Sequence, residues 1–354
     1  MAASTFLAAV PPTPCYAYGQ MVQILTEYPD PETEIAWREF LAGARYAFHY
    51  TAPEYFKEPF IGSAKPFAVL SRQGQGGRVQ GVLTGLHESS RIICGLAESP
   101  RLILHPDADG AAAADIAEGL CTLGGELITL YTWEQSPGLR AQGYQEIEQA
   151  GVVLIDLTKG PEALFAELET PRAIRTATRA GFDIRESRPE DLPDYHRMRA
   201  AWSKAKGLPC EDLDQLQRLF ALRENRLLLV ATHEGKLAAG SVLRFTEGGV
   251  VEYAANTSWP EYRNSRPNDL LMWKGIEWAS QNGFPVYSMG GCHQFLRKFG
   301  GSIIPTFRYR LDRTFLRRHD LKAAATEKSR ALFRSLPGTW QEKIKRVVRP
   351  QPGS

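Results

Sequence analysis

The order of strand-like and helix-like runs in this chain is written twice, and that repetition limits its fold more than any other feature. The first set opens with a helical run over residues 31–48, where Ile35, Trp37, Phe40, Leu41, Ala44 and Phe48 recur at roughly helical spacing. Pro31 suits its first turn, where a missing N–H costs nothing. Two strand-like runs, 66–71 (PFAVLS) and 78–86 (RVQGVLTGL), flank a turn-rich stretch and predict a hairpin. A strand at 91–96, a helix at 111–123 ended by Gly124-Gly125, and a strand at 126–133 follow. The second set repeats the order with a strand at 152–157, a helical stretch at 161–180 broken before Pro171, and a strand at 182–187. Helices at 189–206 and 211–224, a hairpin of 227–232 and 237–245, a strand at 250–256, a helix at 268–282 and a strand at 284–289 complete it. This alternation predicts a mixed α/β layout, and 354 residues exceed what one core usually supports. The expected division is a domain over residues 1–150, a related one over 151–315, and a basic helical tail over 316–354. Residues 1–20 read as loose or as one added strand, and 50–60 as an aromatic loop with a short helix.

Composition removes several function classes. A formal net charge of +2 is no polyelectrolyte, so any nucleic-acid contact needs a local patch. The five cysteines (Cys15, Cys94, Cys121, Cys210, Cys292) are scattered, with no CxxC pair and no zinc-type histidine spacing. They read as reduced thiols in the cytoplasm, with no metal site expected. Residues 1–10 lack the positive start of a secretory signal, and Pro11-Pro12 ends their apolar run. No uncharged stretch approaches the ~20 residues of a membrane span. P-loop, dinucleotide, HExxH and Ser-His-Asp signatures are all missing.

Two short segments carry chemistry. In residues 171–181 (PRAIRTATRAG), Arg172, Arg175 and Arg179 line one helix face that Gly181 closes. Such a stripe is either a solvated basic face or a set of guanidinium forks for phosphate or carboxylate. In residues 284–301 (FPVYSMGGCHQFLRKFGG), a strand runs into Gly290-Gly291, and Gly300-Gly301 follows Phe299. Paired glycines make tight turns or let backbone approach a ligand closely. The tail carries Lys322, Lys328, Arg330, Arg334, Lys343, Lys345, Arg346 and Arg349. It reads as a docking helix with solvated charges, the alternative being a contact to tRNA or to an anionic membrane surface.

Both segments resemble the Fem family of peptidoglycan-bridge aminoacyl transferases and their acetyltransferase-like relatives. Ile174, Arg175, Ala177 and Gly181 fit that family's R-x-x-I-R-x-A-x-x-x-G, with Arg172 one residue closer to the isoleucine than the family's first arginine. Phe295, Phe299 and Gly300 fit its F-K-x-x-F-G, but Leu296 stands where the family has lysine, leaving Arg297 or Lys298 to substitute. The resemblance covers about residues 150–312, and the first half more loosely. It implies an α/β (α+β) fold of two tandem GNAT-like domains, each a mixed central sheet flanked by helices.

The resemblance further implies transfer of an acyl or aminoacyl group to an amine within a ternary complex, with no permanently bound cofactor. The donor would be acyl-coenzyme A or aminoacyl-tRNA; the acceptor would be a cell-envelope precursor, a polysaccharide amine or a small metabolite. In GNAT enzymes the helix equivalent to 268–282 holds the coenzyme A pyrophosphate at its N-terminus. That points to Ser265, Asn268, Gly290 and Gly291 for the donor, although the Gly-rich loop of those enzymes is missing here. Arg172, Arg175, Tyr253, Asn256, Arg263 and Lys298 are the substrate-binding candidates. Glu252 is a candidate base, and strand alternation groups it with Ala254 and Asn256, opposite Tyr253. His293, just past the glycine pair, is the second candidate because imidazole titrates near neutrality. A surface glutamate and a plain loop histidine are the bland alternatives, and His49, Tyr50, Tyr55 and Phe56 read as core packing or as a lining of the acceptor groove. Two rival functions stay open: a tRNA-dependent peptide-bond-forming transferase acting on a cell-envelope precursor, and a non-catalytic ligand-binding double module.

Overall fold

A computed structural model describes residues 20–60, 63–74 and 77–335. The first half runs β1 (Gln20–Leu25), α1 (Pro31–Ala42), two 3-10 turns (His49–Thr51 and Pro53–Lys57), β2 (Lys65–Gln73), β3 (Val79–Glu88), β4 (Arg91–Cys94) and β5 (Leu102–Leu104). It continues through α2 (Asp109–Thr122), β6 (Leu127–Thr132), α3 (Pro137–Ala141) and β7 (Gln145–Asp156). The second half holds α4 (Pro161–Ala166), α5 (Pro171–Arg179), β8 (Asp183–Glu186), α6 (Leu192–Lys206), α7 (Leu213–Ala221), β9 (Arg226–His233) and β10 (Lys236–Arg244). Then come β11 (Val250–Ser258), α8 (Pro267–Gln281), β12 (Val286–Ser288), α9 (Gln294–Arg297), β13 (Ser302–Asp312) and α10 (Arg318–Ser335).

All the strands join one sheet, in the order β1-β2-β3-β4-β6-β13-β7-β12-β11-β10-β9-β8, with β5 paired to β3. Most neighbours are antiparallel. The exceptions are β4 with β6 and β11 with β12, one parallel pair in each half. Each parallel pair is joined through a helix, α2 or α8, as a parallel connection requires. The halves also exchange strands: β13, from the second half, lies between β6 and β7, while β7, from the first, pairs with β12. The division expected after residue 150 therefore falls inside β7. Gly151 bends the strand there with φ +89, and a Cβ on it would stand 2.5 Å from Ile304 O. Opposite the bend, the register shifts between Ile304 and Thr306 at Pro305, a residue with no N–H to give a ladder.

Most expected elements are present. The helix expected over 31–48 instead stops at Ala42, because Gly43 caps it. The aromatic residues beyond turn away to pack elsewhere, Phe48 against Trp133 at 4.5 Å. One core lies under α8 and α5, a second under α2, and a third between the sheet and α6 and α7. The tail helix α10 packs on β13, with Arg310 and Asp320 forming an ion pair at 2.9 Å. Residues 336–354, and Cys15, lie outside the described residues. Among those described, the other four cysteines are free, no cluster could hold a metal, and no helix is long and apolar enough to cross a membrane.

The halves meet through residues 46–58. Val250 N–H donates to Ala47 O at 2.9 Å, and a Cβ on Gly249 would stand 2.4 Å from that same carbonyl. Beside it, His49 Nε2 lies 2.8 Å from Glu58 Oε1, which also takes Arg226 from β9, all three side chains being buried. Burial lowers the His49 pKa and keeps the ring neutral. Burial works against the Glu58 charge too, but the bond to His49 and the nearby Arg226 outweigh it and hold its pKa below 4.5. Removing one partner of a buried pair strands the other charge, so Glu58→Ala should lower stability by roughly 3–5 kcal/mol in denaturant unfolding. Both pKa values are depressed on folding, so stability is fully present above pH 6.5, the unfolded histidine value. It should fall as His49 and then Glu58 take up protons in the unfolded chain. Unfolding midpoints measured from pH 7.5 to 4 should decline steadily, and less so in His49→Gln.

Candidate functional site

The geometry is set by an irregularity in β11. Val242 pairs with Ala255 but its neighbour Leu243 pairs with Tyr253, so Ala254 is an extra residue, a β-bulge. A bulge shifts the alternation of side chains. Glu252 and Asn256 therefore do not share a face, contrary to the simple alternation expected from the sequence. Asn256 turns toward α8, its Nδ2 lying 3.5 Å from Asn268 O. Tyr253 packs on the same side, in the core beneath α8, where burial raises its pKa. Glu252 points the other way, toward the seam between the halves.

At the seam Glu252 is 5% exposed, and its Oε2 has no hydrogen-bond partner. It stands directly across from Arg244 in the β10–β11 register. Ser99, from the loop before β5, is beside it, yet Ser99 Oγ also closes no bond. Burial raises the Glu252 pKa, opposed by Arg244, and Glu98 raises it further. The Tyr50 ring is in cation–π contact with two guanidiniums, Arg101 at 4.5 Å and Arg244 at 5.0 Å from its centroid. Thr84 fixes the Tyr50 backbone by donating to its carbonyl at 2.6 Å, and Arg101 is fixed by donating to Tyr55 Oη at 2.9 Å. Tyr50 and Arg244 sit deep in the protein yet keep some accessible surface, as groups lining a recess do. Sequence reasoning placed Glu252 and Tyr50 among the candidates but missed Arg101, Arg244 and Ser99. The signal for Arg244 was slight, a charged residue ending the apolar run LAAGSVLR.

On the opposite side of β11, the α8 N-terminus follows Arg266, which takes a left-handed conformation at φ +58. Asn268 Nδ2 donates to Ser258 Oγ at 3.2 Å, and the Oδ1 atoms of Asn256 and Asn268 are both buried without partners. Ser265 closes the preceding 3-10 turn, and Arg263 there is exposed. Asp269 occupies the first turn of α8 and is bonded to Lys298, whose ammonium lies 4.0 Å from the Phe295 ring centroid. Lys298 thus reaches the helix end, with its charge already matched. Leu296, at the position of the family's lysine, is buried in the core.

The glycine pairs answer a packing need. A Cβ on Gly290 would stand 2.7 Å from Tyr253 O, and one on Gly301 2.3 Å from Leu154 O. Gly291 borders Leu296. His293 is exposed before α9, with its ring 6.3 Å from that of Phe295 in a stacked orientation. On α5, Ala173, Ile174 and Ala177 are buried while Arg172, Arg175 and Arg179 are exposed, and none of the three has a carboxylate within 4.0 Å among the described residues.

The first half has a cleft of its own, about 920 Å³, between β5 and the end of β6 at the start of α2. Trp133, Phe48 and Phe307 supply its apolar wall, and Arg45, Arg78 and His105 are its basic groups. Asp109 fills the helix end, accepting from Ser136 Oγ at 2.6 Å and Gly138 N–H at 2.9 Å. A carboxylate there opposes a phosphate at the same helix end.

Residues 169–300 match the acetyltransferase (GNAT) domain family. No curated protein matches the chain. Among solved structures, the chain is similar to FemX, with a TM-score of 0.62 at 14% identity over 83% of this chain and 97% of that one. It is similar to a tandem GNAT protein from the clavulanic acid biosynthesis pathway, with a TM-score of 0.53 at 15% identity, covering 83% and 99%. It is also similar to L-PGS from Bacillus licheniformis, with a TM-score of 0.54 at 15% identity, covering 88% and 98%. In those neighbours the likeness is one of fold. Residues 169–300 thus match the acetyltransferase (GNAT) domain family, and the chain as a whole has a tandem GNAT fold.

Proposed function

We propose that the chain is an N-acyltransferase that passes an acyl group from an activated donor directly to an amine, with Glu252 as the proton acceptor. The observation that carries this reading is the buried Glu252 carboxylate, unpartnered at Oε2, two residues from the bulge at Ala254. Amine acylation needs a deprotonated nucleophile and a sink for the proton it sheds on attack. A buried carboxylate with a raised pKa is a stronger base than an exposed one, and the recess keeps bulk water from competing.

The donor would enter from the α8 side of β11, where β12 ends at Ser288 while β11 runs on to Ser258. Asn256, Asn268, Ser265 and the Gly290-Gly291 backbone line that side, and the unpartnered Oδ1 atoms of the two asparagines could accept from amides of a donor's arm. Acyl-coenzyme A is the donor favoured by the match to the acetyltransferase family. Aminoacyl-tRNA is the second reading, favoured by the unpaired arginines Arg172, Arg175 and Arg179 on α5. Tyr253 acts by position, and Arg263 and Lys298 sit at the donor end. His293 is the weaker of the two proton-acceptor candidates, being solvated and stacked on Phe295. In this reading the two halves act as two domains that share β7 and β13.

Free-thiol release from acetyl-coenzyme A in the presence of primary amines tests the reading. Glu252→Gln should cut kcat by about 10²- to 10³-fold with little change in KM. Unaltered turnover in that variant would remove Glu252 from the mechanism. Glu252 must be ionised to accept a proton, so the rate should rise with pH through a pKa displaced above the ordinary 4.5. That limb should vanish in Glu252→Gln, while His293→Ala should leave it in place.

A further inference from the structure

The recess beside Glu252 carries more positive charge than its own carboxylates satisfy by contact. Arg226 has Glu58, but neither Arg101 nor Arg244 has a carboxylate within 4.0 Å among the described residues. The Nε of each is buried without a hydrogen-bond partner. Glu252 and Glu58 are the acids that act on Arg244 through space and Glu98 lies near Glu252, yet no ion pair joins any of them to Arg101 or Arg244. A desolvated arginine without an anion is expensive, and natural cores avoid the arrangement unless something completes it. The two arginines are also held rigidly. Tyr50 is their common cation–π partner, and Tyr55 Oη accepts from Arg101 Nη1. Two guanidinium forks gathered at one ring suit the oxygens of a carboxylate or phosphate, which guanidinium recognises by paired N–H donation. Ser99 Oγ, buried and unpartnered, adds a hydroxyl close to the same place.

We propose that Arg101 and Arg244 hold an anionic group of the acceptor, so that the amine acylated is one end of a small zwitterion whose other end is a carboxylate or phosphate. Glu252, directly across from Arg244, then faces the amine while the arginines hold the anion. The recess reads both charges of one molecule. It is built from both halves of the fold, Tyr50 and Arg101 from the first, Arg244 and Glu252 from the second. This rests on the acyl-transfer reading for the identity of the ligand as acceptor, but the recognition of an anion stands on the arginines alone.

Calorimetric titration of the full chain separates the two. The probes are 4-aminobutyrate against butylamine for the carboxylate arm, and O-phosphoethanolamine against ethanolamine for the phosphate arm. At least one anionic amine should bind about 10-fold or more tighter than its neutral counterpart. Sodium acetate or inorganic phosphate should compete with that probe in the unmodified protein. Arg244→Leu and Arg101→Leu should each erase the preference, and Arg244→Lys should keep part of it. In thiol-release assays the same variants should raise KM for the anionic amine and leave KM for acetyl-coenzyme A unchanged. Equal binding of charged and neutral probes, or a preference that survives Arg244→Leu in a folded protein, would overturn the proposal. The competition experiment on the unmodified protein decides the matter even if the leucine variants do not fold. Anion preference without any thiol release would instead sink the acyl-transfer reading and leave the anion site standing.

Discussion

The exchange of β7 and β13 is the constraint on which the rest of the structure depends. Each half alone would present an unfilled place in its sheet, and each fills the place of the other. β13 hydrogen-bonds to β6 on one side and β7 on the other, and β7 carries the ladder on to β12. The result is one continuous sheet across both halves. Interfaces between domains in one chain commonly allow relative motion unless they are large and apolar. Here the junction is main-chain ladder, so separating the halves would break backbone hydrogen bonds along the strands. Gly151 and Pro305 make the bend possible, the glycine because of its positive φ and the proline because it withholds a donor where the register shifts.

That rigidity lets charged groups from distant parts of the chain be held together. Phe48 and Trp133 pack edge to face, and Val250 bonds to Ala47 O, so the turn carrying His49 and Tyr50 is docked on the second half. Two charged sets result, with opposite degrees of completion. His49, Glu58 and Arg226 bond to one another and act as a clasp, with His49 Nδ1 left without a partner. Arg101, Arg244, Glu252 and Ser99 are placed just as firmly but left with unpartnered atoms. A cluster kept only for stability would gain by closing those bonds, since an unpartnered buried polar group costs about 1–3 kcal/mol.

Much of the fold was legible because its signals are local. The hairpins announce themselves by alternation and turn residues, α5 by Pro171 and Gly181, and the broken helix before it by the proline. What was not legible depends on partners far along the chain. The polar start of β7 (QEIEQ) has no apolar pattern because those residues pair with β13, some 160 positions away, near the surface. β5 is three residues long and exists only as a partner of β3. The bulge at Ala254 has no local signature, since alanine is unremarkable in a strand, and missing it put Asn256 on the wrong face. In the candidate site Glu252 could be found from its strand. Arg101 and Arg244 could not, because one follows a loop and the other ends a strand, and only the seam brings them to the same ring.

The two halves share a frame and differ in what occupies it. In both, a helix begins beside a parallel strand pair and an aspartate sits in its first turn, Asp109 in α2 and Asp269 in α8. Asp109 is consumed by Ser136 and Gly138 from its own half, which stiffens the turn into α3. Asp269 is instead matched by Lys298, a side chain with a long, flexible stem that an incoming phosphate could draw away. The family's lysine position is filled by the buried Leu296, so the cation reaches the helix end from two residues further on. In the proposed reading the second half therefore holds the donor, and the first contributes Tyr50 and Arg101 to the acceptor side. Strand exchange then makes the catalytic unit the whole chain: the acceptor side is incomplete without Tyr50 and Arg101 of the first half, and neither sheet is complete without the other.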